Sequence, residues 1–159
     1  MIEIVRVDYQ NPDHISDLVA LMDQYALDPM GGGEGLPDKV KANLGNNLAK
    51  LPSAISLLAY VGNEAVGLLN AFEGFSTFAC KPLINVHDVI VSFSYRRKGI
   101  SHHLLSSLEE IAKEKGCCKL TLEVLSQNKT AKTSYQKMGF APYQLDPKSG
   151  QAEFWQKDL

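Results

Sequence analysis

The chain has 159 residues, 45% hydrophobic and 21% charged, with a formal net charge of −2 at pH 7. That length holds one domain with a real core and not two ordinary ones, and the near-neutral balance gives no broadly basic field, which sets nucleic acid aside as a default partner. No apolar run is long enough to span a membrane, the start MIEIVRVDYQ shows no signal-peptide pattern, and three cysteines without metal-ligand spacing suit a reducing, cytoplasmic setting with no bound metal.

Ile2, Ile4, Val5 and Val7 read as a first strand. Asn11-Pro12 opens a helix, with a capping side chain before a first-turn proline. Ile15, Leu18, Val19, Leu21, Met22 and Tyr25 then recur at helical spacing until Asp28-Pro29 ends it. Residues 30–35 hold four glycines and read as a mobile loop. A second helix follows Pro37, with Val40, Leu44, Leu48 and Leu51 on one face, and stops at Pro52. Segments 54–61 and 65–78 read as strands joined through Gly62-Asn63, a tight hairpin signal.

After a break at Lys81-Pro82, residues 84–93 read as the central strand, apolar on both faces as a strand covered by helices should be. Residues 100–114 form a helix with Leu104, Leu105, Leu108, Ile111 and Ala112 inward and Gly116 as its terminal cap. Residues 119–125 alternate as a strand, 130–138 form a short helix closed by Gly139, and 140–145 with 152–156 make a last hairpin. Trp155 there belongs to the core or to a homodimer contact. The order predicts an α/β domain spanning 1–159, with one mixed sheet of about seven strands and helices on both faces.

The stretch DVIVSFSYRRKGISHHLL organises this pattern. A buried strand feeds a helix through the basic turn Arg96-Arg97-Lys98-Gly99-Ile100-Ser101. Free backbone N–H groups and the helix dipole converge there and favour a phosphate or pyrophosphate; Gly99, lacking a Cβ, permits close approach. The alternative is a solvated basic turn ahead of an ordinary amphipathic helix. The turn is neither a P-loop, since no Gly-Lys-Ser/Thr closes it, nor a GxGxxG fingerprint.

Arg96-x-x-Gly99-x-Ser101 resembles the Gln/Arg-x-x-Gly-x-Gly/Ala motif of the GCN5-related N-acetyltransferase (GNAT) family. LTLEVLSQNKTAKTSYQKMGF resembles that family's second signature, a strand, an Asn, a helix with Tyr, then Gly-Phe. The similarity runs from about Glu64 to the C-terminus; Ser101 departs from the usual Gly/Ala. The resemblance implies a GNAT domain whose sheet splays between its two middle strands, with acetyl-CoA as cosubstrate. It implies acetyl transfer to a primary amine of a small molecule, an amine, polyamine or amino acid, by direct attack in a ternary complex. No cysteine stands in a motif position to form an acetyl-enzyme.

By the same resemblance, backbone groups of Val89, Ile90 and Val91 hold the pantetheine arm. Arg96, Arg97, Lys98, Gly99, Ile100 and Ser101 hold the pyrophosphate. Asn128 contacts the coenzyme or simply caps its helix, and Tyr135 is the general acid or else a half-buried packing tyrosine. Three residues compete as base. Glu123 lies in an LEV strand and shares a face with Thr121, His87 carries the side-chain type whose unperturbed pKa lies near neutrality, and Asp88 is an alternative that would hold a cationic amine. Asn85 stands where the histone-acetylating branch has a glutamate.

FSTFACKPLINVHDVIV resembles the diamine and polyamine branch, whose two acidic residues align with His87 and Asp88. Asp28 and Glu34, around the glycine loop, are further candidates to attract a cation. His102 and His103 read as surface residues. The rival readings are an acyl-CoA sensor without turnover and an acetyltransferase of a protein N-terminus or lysine.

Overall fold

Five strands make one sheet in the order β1 (Ile2–Arg6), β2 (Ala54–Val61), β3 (Glu64–Ser76), β4 (Lys81–Val91) and β5 (Leu120–Leu122). The first four are mutually antiparallel; β4 and β5 are parallel. The helices are α1 (Pro12–Leu27), α2 (Asp38–Ala49), α3 (Ile100–Glu114) and α4 (Lys129–Lys137). A parallel pair needs a crossover, and α3 supplies it between β4 and β5. The computed structural model describes residues 1–159, in two units, Met1–Leu122 and Glu123–Leu159. No helix is long and apolar enough to cross a membrane.

In the first unit the sheet is sandwiched. Leu68 and Ile90 join Leu18 and Leu21 of α1 and Leu48 of α2 in one buried cluster with Val7, Ala54 and Leu58. Successive strand residues face opposite ways, so Gly67 belongs to the other face. There a Cβ on Gly67 would stand 2.8 Å from Ile100 Cγ2 and 3.2 Å from Leu104 Cδ1. Hence α1 and α2 cover one face and α3 the other. Asn11 caps α1 as its type predicts, its side chain accepting from the Asp13 N–H.

Four expectations change. The sheet has five strands, not about seven, because residues 140–145 and 152–156 form none. Pro142 lacks the N–H a ladder needs, and every residue from 141 to 159 is exposed, so neither segment has a covered apolar face. Trp155, 82% exposed, is not core. The break at Lys81-Pro82 is instead the start of β4, where a proline is tolerated. The strand over 119–125 shortens to Leu120–Leu122.

Gly67 is the position where α3 meets the sheet without a side chain between them. Gly67→Ala is expected to destabilise the protein by about 1–3 kcal/mol, read as a lower urea midpoint with unchanged slope. A midpoint equal to that of the parent would show that Ile100 and Leu104 do not rest on this glycine.

Candidate active site

The register of β3 and β4 pairs Asn70 with Asp88 but Ala71 with Val86, so His87 is an extra residue, a β-bulge. Strict alternation would send His87 and Asp88 to opposite faces; the bulge brings them to the same one. The His87 ring meets the Phe72 ring edge-on, with centroids 4.9 Å apart at 80°. Phe72 packs on the α1–α2 cluster. Asp88 accepts at 3.0 Å from the side-chain amide of Asn70, whose nitrogen also lies 3.3 Å from the sulfur of Met22 in α1. Two candidate acid–base groups therefore stand together on the α1 side. The Asp88 charge reaches Tyr25, whose phenol is pushed up first by burial and then by the neighbouring Asp88 and Asp28 carboxylates. Asn85, on the same face, donates to the Thr121 hydroxyl at 3.0 Å.

Downstream, the ladder to β5 ends at Val86 with Leu122. Val89, Ile90 and Val91 run on without a β5 partner. The chain then makes a 3-10 turn (Phe93–Tyr95) and enters α3. Gly99 caps that helix at φ +82°, with no side-chain cap bond and no acidic residue in the first turn. The N–H groups of Ile100, Ser101 and His102 have no intrahelical acceptor, and a Cβ at Gly99 would point into open space. Main-chain amides left in this way can hold an anion. Ile100 contributes only its backbone, because its side chain is buried at 2% exposure.

The three basic residues differ. Arg96 donates to the Val91 carbonyl at 3.2 Å and to Asp28 Oδ2 at 2.7 Å, with its guanidinium 5.5 Å from the Phe93 ring. It is a brace, and Asp28 is thereby occupied, not open to a substrate. Arg97, at φ +64°, and Lys98, 4.7 Å over the Tyr95 ring, are exposed and carry the free charge of the turn. Asp28 also holds the glycine loop: its Oδ1 accepts from Met30 N–H, and its carbonyl from Gly31 and Gly33.

The second unit holds the remaining candidates. Asn128 caps α4, accepting from the Ala131 N–H at 3.2 Å. Tyr135 is half-buried, its ring 5.9 Å from that of Phe140 at 62°. Glu123 is exposed and follows directly after β5. No group of three or more His, Cys, Asp or Glu is placed to hold a metal ion.

Residues 18–140 match the model of the acetyltransferase (GNAT) family. The chain belongs to the GNAT acetyltransferase family. It is an N-acetyltransferase by that membership, and GNAT acetyltransferases use acetyl-CoA. It is 27% identical over 144 residues to a thialysine N-epsilon-acetyltransferase of Caenorhabditis elegans, covering 87% of this chain and 82% of the relative. It is 28% identical over 110 residues to an aminoglycoside N(6')-acetyltransferase type 1 of Acinetobacter genomosp. 13, covering 65% and 75%.

Among solved structures, a probable acetyltransferase superposes with a TM-score of 0.79 at 21% identity, over 99% of both chains. AAC(6')-Iy in complex with a bisubstrate analogue of CoA superposes with a TM-score of 0.77 at 18% identity, over 100% of this chain and 99% of the other. These two likenesses show the GNAT fold.

The residues that sequence reading missed in this GNAT chain are Tyr9, Ser56 and Asn70, which form a hydrogen-bonded row leading to Asp88. One signal was there. Asn70 interrupts an otherwise apolar GLLNAF run in a position that faces the core.

Arg96 also fixes a pH dependence. Its guanidinium, then the Met30 N–H, hold the Asp28 carboxyl below its usual range. A depressed folded-state pKa gives stability that is present above the unfolded value, about 3.9 for aspartate. That stability is lost as pH falls through the folded value. The gap in urea midpoint between the parent and Arg96→Gln is therefore expected to be full near neutrality and to close as pH falls below the ordinary aspartate range. A gap independent of pH would mean that Arg96 stabilises by packing alone.

Proposed function

We propose that the chain, acting as one domain over 1–159, transfers an acetyl group from acetyl-CoA to the primary amine of a small cationic molecule. One observation carries the reading: a bulge gathers His87 and Asp88 on one face of β4 just before a stretch with no β5 partner, which leads into a helix that no side chain caps. Relatives named for thialysine and for aminoglycosides both act on amines, which supports the acceptor class.

Acetyl-CoA supplies the acetyl group as a thioester. On this reading the amides of Ile100, Ser101 and His102 hold its diphosphate, with Arg97 and Lys98 adding charge and Gly99 leaving room. The open side of Val89, Ile90 and Val91 takes the pantetheine arm. Asp88 anchors positive charge on the acceptor, His87 accepts the amine proton, with Glu123 as the competing base, and the Tyr135 hydroxyl protonates the departing thiolate. The reaction is direct attack with both substrates bound.

The test is thiol release from acetyl-CoA over a panel of monoamines, diamines, polyamines and amino acids. Tyr135→Phe is expected to lower kcat by about 10²–10⁴-fold while the KM for acetyl-CoA stays within about twofold. Equal loss in both would remove the acid role. Gly99→Val is expected to weaken acetyl-CoA binding by calorimetry, since a β-branched residue resists φ +82° and crowds the cradle; unchanged affinity would remove the cradle. Tight acetyl-CoA binding with no turnover on any amine would favour a sensor, a reading that Ser101 in place of Gly/Ala supports. Neither binding nor turnover would end the proposal.

A further inference from the structure

Asn70 is 4% exposed in the middle of β3, and Ser56, its neighbour on β2, is 2% exposed. Packing alone has no use for them, since replacing two mutually bonded polar groups by apolar ones of like shape is close to neutral for stability. The Tyr9 hydroxyl donates to Ser56 Oγ at 2.9 Å, Ser56 Oγ donates to Asn70 Oδ1 at 2.6 Å, and Asn70 Nδ2 donates to Asp88 Oδ2 at 3.0 Å.

The direction of this row is forced. An ionised carboxylate only accepts, so Asn70 turns its NH₂ to Asp88 and its carbonyl to Ser56. Ser56 has one proton, which that carbonyl takes, so Ser56 must accept from Tyr9. Burial pushes the Tyr9 phenol up, which keeps it a donor at neutral pH. Bonds aligned head to tail strengthen one another.

The row ends on a carboxylate that no cation of the chain neutralises. The ion pairs are Lys41–Asp23, Arg96–Asp28, Lys113 with Glu109 and Glu110, and Lys115–Glu73. Asp88 is in none of them. It is half-buried, next to His87 in the chain, and after burial it is the main cause that raises the Tyr25 phenol. A half-buried, rigidly aimed and unpaired carboxylate is a seat for a cation.

We propose that Tyr9, Ser56 and Asn70 are a one-way hydrogen-bond chain that aims Asp88 at a second positive charge on the acceptor, making Ser56 and Asn70 positioning residues that select diamine-like acceptors over monoamines. The inference rests on the reading of Asp88 as the acceptor anchor. None of the three touches the reacting atoms. Removing the Ser56 hydroxyl frees the Asn70 amide to rotate, and a rotated amide presents oxygen to oxygen at Asp88.

The experiment compares the parent, Ser56→Ala, Tyr9→Phe and Asp88→Asn with acetyl-CoA and either 1,3-diaminopropane or propylamine. Ser56→Ala is expected to raise the diamine KM roughly tenfold, as for loss of a bond that supports a charged group. Its kcat should stay within about twofold, with the propylamine and acetyl-CoA KM values unmoved. Tyr9→Phe, one bond further back, is expected to give a smaller rise in the same direction, and Asp88→Asn a rise at least as large as Ser56→Ala.

A normal diamine KM in Ser56→Ala beside a raised one in Asp88→Asn overturns the chain and leaves the anchor standing. Parent-like values in Asp88→Asn remove the anchor itself. Losses in Ser56→Ala that fall equally on both amines and on acetyl-CoA mark a merely structural residue and overturn the proposal. A crystal structure of Ser56→Ala decides the matter if neither amine is turned over: the Asp88 carboxylate displaced from Asn70 is expected, and an unmoved pair overturns the chain.

Discussion

One extra residue in β4 sets the arrangement of this molecule. A strand that alternates without interruption has one side chain of each adjacent pair on each face. His87 breaks that rhythm. Upstream of it, Val86 pairs with Ala71 on the α3 side; downstream, Asp88 pairs with Asn70 and Ile90 enters the core under α1 and α2. Both halves of β4 keep their apolar residues buried only because the bulge absorbs the phase change between them. Deleting it would turn Ile90 out of the core or Asp88 away from Asn70. The bulge is thus tied to the hydrophobic core on one side and to the polar row on the other.

The second constraint is where α1 ends. Gln24 meets Ser92 at 3.0 Å and Asp28 meets Arg96 at 2.7 Å, so the last turns of α1 are fixed to the chain leaving β4. Tyr95 adds a 2.7 Å bond to Glu64 at the start of β3. Exposed contacts of this kind contribute about 0–1 kcal/mol each. They count for little in stability, yet together they fix a turn that places Arg97 and Gly99 at positive φ. A backbone held there without a capping side chain keeps its amides directed outward, the geometry an anion needs.

The elements with strong local signals were legible in the sequence. Asn11-Pro12, the Gly62-Asn63 hairpin and the 100–114 helix all sit where cap, turn and periodicity put them. The turn at Arg96–Ser101 could be read from its composition, but the use of Arg96 could not. Its partner Asp28 lies 68 residues away, and nothing local distinguishes it from Arg97. The bulge was equally hidden, because His87 and Asp88 are adjacent in any register and only the pairing with Asn70 and Ala71 reveals that they share a face. The last hairpin failed for the opposite reason. Alternation over 140–145 takes no account of Pro142, which removes a donor from it, and no apolar surface covers the segment.

Net charge would argue against an anionic partner, since the chain carries −2 overall. The local field decides otherwise. Charges on exposed groups are screened beyond about 8–10 Å in physiological salt, so remote carboxylates matter little at the turn. The α3 N-terminus contributes the equivalent of roughly +0.5 charge, with Arg97 and Lys98 beside it and no acidic residue in the first turn. Arg96 adds less, because Asp28 has neutralised it. At the bulge the sign reverses: Asp88 stands without a cation, and the Asn70 amide supports its negative charge. β4 therefore runs from a place that favours positive charge to one that favours negative charge, within a single rigid strand and the turn after it. On the proposed reading, an anionic coenzyme and a cationic acceptor would each find its own seat, and each would be repelled from the other's.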